Sequence, residues 1–250
     1  MKIAVVVFPG SGGVADAVYA YRDVLKQEVF TVWHQEESIG DADVLVIPGG
    51  SAFGDYLRPG ALCKASPIIG AIRKFERDDR PIIGLGNGFQ ILCELDILPG
   101  VLLPNLNSRF MNTDTFVTAD NTKSIWTRHL EEGEILTLPI SCYCGRYYAD
   151  KRTLKDLEEE GHIALRFCDL EGDVDLSQPF NGSVNAIAGI LNRHENVLGV
   201  ITHPERAIEQ FMGSVDGLPL LESVLRGEKP VEIAQEDEDF DFEPEDGDRD

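Results

Sequence analysis

Ile82-Ile83-Gly84-Leu85-Gly86-Asn87-Gly88-Phe89-Gln90 reads as an apolar strand that enters a Gly-x-Gly-x-Gly turn and leaves as a helix. A bend of this kind at the end of a buried strand is the plan of a nucleophile elbow. The central residue of G-x-Nu-x-G sits on a sharp, strained turn that exposes its side chain at the sheet edge, and the flanking glycines let neighbouring chain pass closely. Backbone N–H groups at the start of the following helix are then placed to stabilise an oxyanion. Here the central residue is Gly86, which has no side chain. Taken alone, the stretch is equally a Gly-rich turn with no catalytic meaning. It is not a dinucleotide fingerprint, because Phe89 stands where G-x-G-x-x-G needs its last glycine, and it lies far from the first strand–helix turn.

Outward from this point the same unit recurs. Lys2–Phe8 is a β-branched run ending in Pro9-Gly10-Ser11-Gly12-Gly13, followed by Ala15–Lys26 with Val18, Tyr21, Val24 and Leu25 at helical spacing. Phe30–Trp33 and Val44–Ile47 read as strands, the second closed by Pro48-Gly49-Gly50, and Ala61–Phe75 as a helix. Repeated strand, loop and helix units predict an α/β fold, a three-layer sandwich around a mostly parallel sheet. Ligands of such sheets sit beyond the carboxyl ends of the strands, here the loops at 9–13, 48–54 and 84–88. Thr113–Thr118, Ile135–Pro139 and Tyr143–Ala149 suggest a small antiparallel β insertion. Ile163–Phe167, Ile187–Leu191 and Val197–Thr202 return to the strand pattern, and Glu205–Phe211 and Leu218–Arg226 read as helices.

The 250 residues carry 22 Lys and Arg against 44 Asp and Glu, a net charge of −22. Glu232–Asp250 holds eleven acids and one base. The segment 227–250 therefore reads as an acidic, disordered tail with little to bury, and 1–226 as one domain. So acidic a body repels a phosphate backbone, which excludes nucleic acid as a partner. No apolar run approaches a membrane span, and Ile3–Phe8 is too short for a signal-peptide core. Five scattered cysteines predict a reduced, cytoplasmic chain.

The strand and loop residues belong to longer strings: Phe8-Pro9-Gly10-Ser11, Trp33-His34-Gln35-Glu36, Ile47-Pro48-Gly49-Gly50 and Gly54-Asp55-Tyr56-Leu57-Arg58-Pro59-Gly60-Ala61. Asn87-Gly88-Phe89-Gln90-Ile91-Leu92, Leu98-Pro99-Gly100, Asn181-Gly182-Ser183 and His203-Pro204-Glu205-Arg206-Ala207 continue the series. On these strings, spread over residues 1–226, the sequence resembles the glutaminase subunit of phosphoribosylformylglycinamidine synthase, a class I glutamine amidotransferase of purine biosynthesis with a flavodoxin-like sheet.

The resemblance implies a Cys-His-Glu triad hydrolysing glutamine: a thiolate attacks the side-chain amide, ammonia leaves and water resolves the thioester. His203 falls on the triad histidine and Glu205 on the carboxylate that orients it. Gly50 and Asn87 fall on the oxyanion-hole N–H groups, and Gly49, Gly50, Phe89, Gln90 and Cys142 on the substrate-binding positions. The implied partners are a large synthetase subunit and a small accessory subunit. No cofactor and no metal are called for.

Gly86 occupies the nucleophile position, and a glycine there leaves the site without its attacking group. Losing a nucleophile costs on the order of a million-fold in turnover. Two further loops depart from the family: Ser11-Gly12-Gly13-Val14, and Ser51-Ala52-Phe53 ahead of Gly54-Asp55. Ser141-Cys142-Tyr143-Cys144-Gly145-Arg146 places two cysteines where the family carries polar residues. Cys142 and Cys144 could bind a soft metal, but an accidental pair on a strand accounts for such loose spacing. Cys63, Cys93 and Cys168 read as core. Three readings stand at this stage: a glutaminase subunit disabled as written, a non-catalytic module that binds a small molecule where the triad worked, and a repurposed site using His203, Glu205 and Cys142.

Overall fold

The structure, a computed structural model, describes residues 1–177 and 179–225. The acidic tail assigned to 227–250 lies outside the described residues. β1 (Lys2–Val7) buries Ile3, Ala4, Val5 and Val6 completely, the continuous apolar pattern of a parallel strand covered on both faces. After the loop at 9–13 comes α1 (Val14–Val18), which widens without a break into a π-helical turn, Tyr19–Val24. Then follow β2 (Glu28–Trp33), β3 (Val44–Ile47), α2 (Ile69–Arg77), β4 (Ile82–Leu85) and α3 (Asn87–Glu94). The second half holds β5 (Val101–Leu103), β6 (Met111–Ala119), β7 (Ile135–Cys142), β8 (Arg146–Tyr148) and α4 (Lys151–Glu159). β9 (Ile163–Cys168), β10 (Ile187–Leu191), β11 (Val197–Val200) and α5 (Leu218–Glu222) complete it.

One nine-stranded sheet runs β2-β1-β3-β4-β11-β10-β9-β6-β7. The strands from β2 to β11 are parallel to their neighbours, as expected of the α/β body. From β11 onward every pairing is antiparallel. β6 and β7 thus extend the same sheet, and only β8 pairs apart from it, with β5. The antiparallel half curls back towards the parallel one. Ile140 of β7 bridges Thr202 just past β11, and the Pro139 carbonyl accepts the His203 N–H at 2.8 Å. This contact fixes His203 beside the carboxyl ends of β3 and β4.

Helices depart from the sequence pattern where backbone chemistry intervenes. Ala61–Phe75 is two pieces: a 3₁₀ turn, Ala61–Ala65, then α2. Ser66 between them is extended (φ −79°, ψ 137°), the conformation imposed on a residue before proline, here Pro67. Glu205–Phe211 forms two 3₁₀ turns, Pro204–Arg206 and Gln210–Met212. The Ala207 carbonyl accepts the Gly217 N–H at 2.7 Å and so closes a tertiary contact in place of a helix. α4 turns Leu154 and Leu157 to the core from an otherwise polar run. Asp150 caps it, its carboxylate accepting the N–H groups of Arg152 and Thr153.

Candidate functional site

Gly86 joins β4 to α3 with φ 52° and ψ −106°, a backbone that an L side chain rarely adopts. Its N–H donates to the Val200 carbonyl at 2.8 Å, which pins the bend to β11. The next glycine is required for another reason. A Cβ on Gly88 would meet the Ile47 carbonyl oxygen at 1.9 Å, so β3 crosses the start of α3 in direct backbone contact. The sharp strand-to-helix bend expected at Gly86 is thus present.

Beside it stands the imidazole of His203. A Cβ built on Gly86 would lie 2.7 Å from its Cε1 and 3.0 Å from its Nε2, and Gly49 faces the same ring. His203 Nδ1 and Glu205 Oε1 are 2.8 Å apart, with both side chains buried. Among the described residues Glu205 Oε2 has no hydrogen-bond partner. The i, i+2 spacing works because His203 precedes the 3₁₀ turn Pro204–Arg206, which folds Glu205 back onto the ring.

The loops after β1 and β3 are knitted together by Gly13 N–H to Gly49 O at 3.0 Å and Ser51 N–H to Gly10 O at 2.9 Å. Among the described residues the N–H groups of Gly50 and Asn87 donate to no protein acceptor. The Asn87 side chain ties α3 to the 3₁₀ turn Ala52–Asp55: its Oδ1 accepts from Ala52 N–H at 3.0 Å, and its Nδ2 donates to Gln90 Oε1 at 2.7 Å and Asp55 Oδ1 at 3.3 Å. Gln90 in turn donates to the Cys144 carbonyl at 2.6 Å. Burial pushes the Asp55 carboxyl above its ordinary range, against the opposing effect of its hydrogen bonds from Ser51 and Asn87.

These groups surround a cavity of about 670 Å³. Gly50, Asn87, Gln90, Cys142 and His203 line it, and Gly49 and Gly86 lie against the His203 ring. Phe89 is a correction. It is fully buried and stacks on Tyr147 at 6.0 Å, in the core and not at the cavity. Successive residues of a helix face different sides, so Gln90 reaches the cavity and Phe89 does not. Asp55, Arg58 and Tyr143 also line the cavity. The sequence presented them only as parts of strings, without the signal of burial that singles out Asp55.

Cys142 and Cys144 are buried, and burial pushes the Cys142 thiol up to about 12 and that of Cys144 upward. Among the described residues no group of three or more His, Cys, Asp and Glu side chains is arranged to hold a metal ion. Cys63 and Cys93 are core residues as expected, whereas Cys168 is half-buried. No helix among the described residues is long and apolar enough to cross a membrane.

The CobB/CobQ-like glutamine amidotransferase domain matches residues 1–218. The phosphoribosylformylglycinamidine synthase subunit PurQ of Aquifex aeolicus is 48% identical over 225 residues, 90% of this chain and 99% of the relative. That of Salinibacter ruber is 43% identical over 224 residues, 90% of this chain and 95% of the relative. A chain of the PurLQS structure from Thermotoga maritima superposes with a TM-score of 0.78 at 34% identity, covering 90% of this chain and 97% of that one. On these matches, which span nine-tenths of its length, the chain belongs to the PurQ family of phosphoribosylformylglycinamidine synthase subunits.

Proposed function

We propose that this chain is the glutaminase subunit of a phosphoribosylformylglycinamidine synthase, docked on a larger synthetase, and that its own glutamine hydrolysis is disabled at Gly86. One observation carries the reading. A buried His203–Glu205 pair stands with its imidazole against the backbone of Gly86, where a nucleophile would be attached.

In this arrangement a thiolate at position 86 would attack the amide carbon of glutamine. Glu205 holds the Nδ1 side of His203, which leaves Nε2 to take the thiol proton and return it to departing ammonia. The free N–H groups of Gly50 and Asn87 border the same cavity and are the donors for the oxyanion. Every part but the nucleophile is on the chain. With glycine at 86 the base has no thiol to activate, and the cavity can bind glutamine without cleaving it.

The test is ammonia release from glutamine by the unmodified chain, alone and with its synthetase, next to Gly86→Cys. The unmodified chain is expected to show no release above background and the variant to show it. Turnover by the unmodified chain at an ordinary enzymatic rate, roughly 1 s⁻¹ or more, would overturn the disabled reading. Calorimetry with glutamine separates an empty scaffold from a binding module: heat of binding without turnover supports the latter.

A further inference from the structure

Among the described residues that line the cavity, three carry a fixed charge: Asp55, Arg58 and Arg206. The two arginines are already paired. Arg58 Nη2 donates to Glu94 Oε2 at 2.7 Å, and Arg206 Nε to Asp16 Oδ2 at 2.8 Å. Asp55 is not. Its half-buried carboxylate accepts from Asn87 Nδ2 at 3.3 Å and from the Ser51 side chain, both neutral donors. No lysine, arginine or histidine among the described residues forms an ion pair with it. Burial outweighs the two hydrogen bonds and keeps the charged form costly, a deficit that a cation in the cavity would relieve.

The backbone is strained where it presents this group. Phe53, Asp55 and Leu57 all have positive φ, 54°, 55° and 68°, a region that non-glycine residues keep only where the surroundings enforce it, and commonly at ligand sites. Here Phe53 N–H donates to Pro9 O at 2.6 Å, Gly54 N–H to Ser51 O at 2.8 Å and Ala52 N–H to Asn87 Oδ1 at 3.0 Å. Asn87 thus serves two ends of one cavity. Its own N–H is the oxyanion donor of the proposed reaction, and its side chain holds the Asp55 carboxylate. Glutamine has a matching layout, with an amide at one end of a short chain and an ammonium and a carboxylate at the other.

We propose that Asp55 is a specificity-determining residue of this site: its carboxylate receives the α-ammonium of glutamine while the amide lies among His203, Gly50 and Asn87. A wall that holds both signs of charge suits a zwitterion. Arg58 and Arg206 keep N–H donors beyond their contacts with Glu94 and Asp16, and these serve the α-carboxylate. The site then separates an α-amino acid from a plain carboxamide of equal length. The proposal rests on the reading of this cavity as a glutamine site.

The experiment is calorimetry on the unmodified chain with two probes, L-glutamine and glutaramate. Glutaramate keeps the amide, the chain and the carboxylate, with hydrogen in place of the ammonium. Glutamine is expected to bind about tenfold more tightly, the size of one hydrogen bond to a charged group. Asp55→Asn removes the charge, keeps an oxygen for Asn87 and suits the positive φ. It is expected to weaken glutamine about tenfold and to leave glutaramate unchanged, whereas a merely structural defect weakens both alike. Equal affinity of the unmodified chain for the two probes, equal weakening of both in the variant, or no heat with glutamine overturns the proposal. Should Asp55→Asn not fold, the two probes on the unmodified chain decide. In a Gly86→Cys background that releases ammonia, adding Asp55→Asn is expected to raise KM about tenfold with kcat unchanged. Ammonia release by Gly86→Cys without discrimination between the probes overturns the role of Asp55 and leaves the proposed function standing. A silent Gly86→Cys with discrimination intact counts against the proposed function and upholds the role of Asp55.

Discussion

The imidazole of His203 packs against the backbone of Gly86 so closely that a methyl group on that residue would be 2.7 Å from Cε1. Two hydrogen bonds hold the ring's position. Its Nδ1 is held by Glu205 at 2.8 Å, and its backbone N–H by Pro139 at 2.8 Å. Glycine at 86 therefore lets the acid–base pair settle deeper onto the elbow than a side chain there permits.

Gly86→Cys is expected to gain glutaminase activity and lose stability together. The positive φ at this position costs a non-glycine residue about 1–3 kcal/mol, and the ring must shift to admit Cβ. Gly86→Ala is the control, with a comparable loss and no activity. Chemical denaturation and an ammonia assay on the three chains check both halves. A Gly86→Cys chain that folds and stays silent would place the fault in the Ser51–Phe53 and Cys142–Arg146 loops.

Asn87→Ala is expected to loosen the cavity wall more than its size suggests. The side chain serves Ala52, Asp55 and Gln90, and its loss leaves the Ala52 N–H unpaired. One such unsatisfied buried group costs about 1–3 kcal/mol. Hydrogen exchange should rise at Ala52 and at the residues flanking Asp55, while β1 and β3 stay protected. Uniform exchange across all three regions would contradict the role assigned to Asn87.

Much of the parallel half was legible because a strand covered on both faces must be apolar throughout, and Val44–Ile47 and Ile82–Leu85 have that pattern. Strand order was not legible. Nothing local in Thr113–Thr118 tells that β6 pairs β9 across the chain, because pairing is chosen by long-range packing. Pro67 was a readable sign of the broken helix, outweighed by the apolar periodicity on either side of it. At the site, His203 and Glu205 were identified from one string, but the π turn over Tyr19–Val24 leaves no mark in the apolar spacing.

The thiols of Cys63 and Cys142 predict an alkaline weakness. Burial pushes both up to about 12, so the folded chain keeps two protons that the unfolded chain releases from about pH 9. The stability tied to these thiols is fully present below that pH and is lost as pH rises towards 12. Thermal unfolding between pH 8 and pH 10.5, compared for the unmodified chain and Cys142→Ala, checks the sign: the variant's Tm should fall less steeply. At pH 8 the same shift leaves Cys142 almost wholly protonated. Its alkylation by iodoacetamide in the native chain should be about a thousandfold slower than in urea.

Glu205→Gln separates orientation from charge at the acid–base pair. The amide oxygen can still accept from Nδ1–H, so the ring keeps its place while the negative charge behind it is gone. The hydrogen bond to Nδ1 survives, so Glu205→Gln should unfold within about 1 kcal/mol of its parent. Glu205→Ala leaves the buried Nδ1 without its partner and should cost about 1–3 kcal/mol. In a Gly86→Cys background the glutamine variant should release ammonia at least about a hundredfold more slowly, because an uncompensated imidazolium is a poor product of thiol deprotonation. A double variant as active as Gly86→Cys alone would show that Glu205 aims His203 without needing its charge.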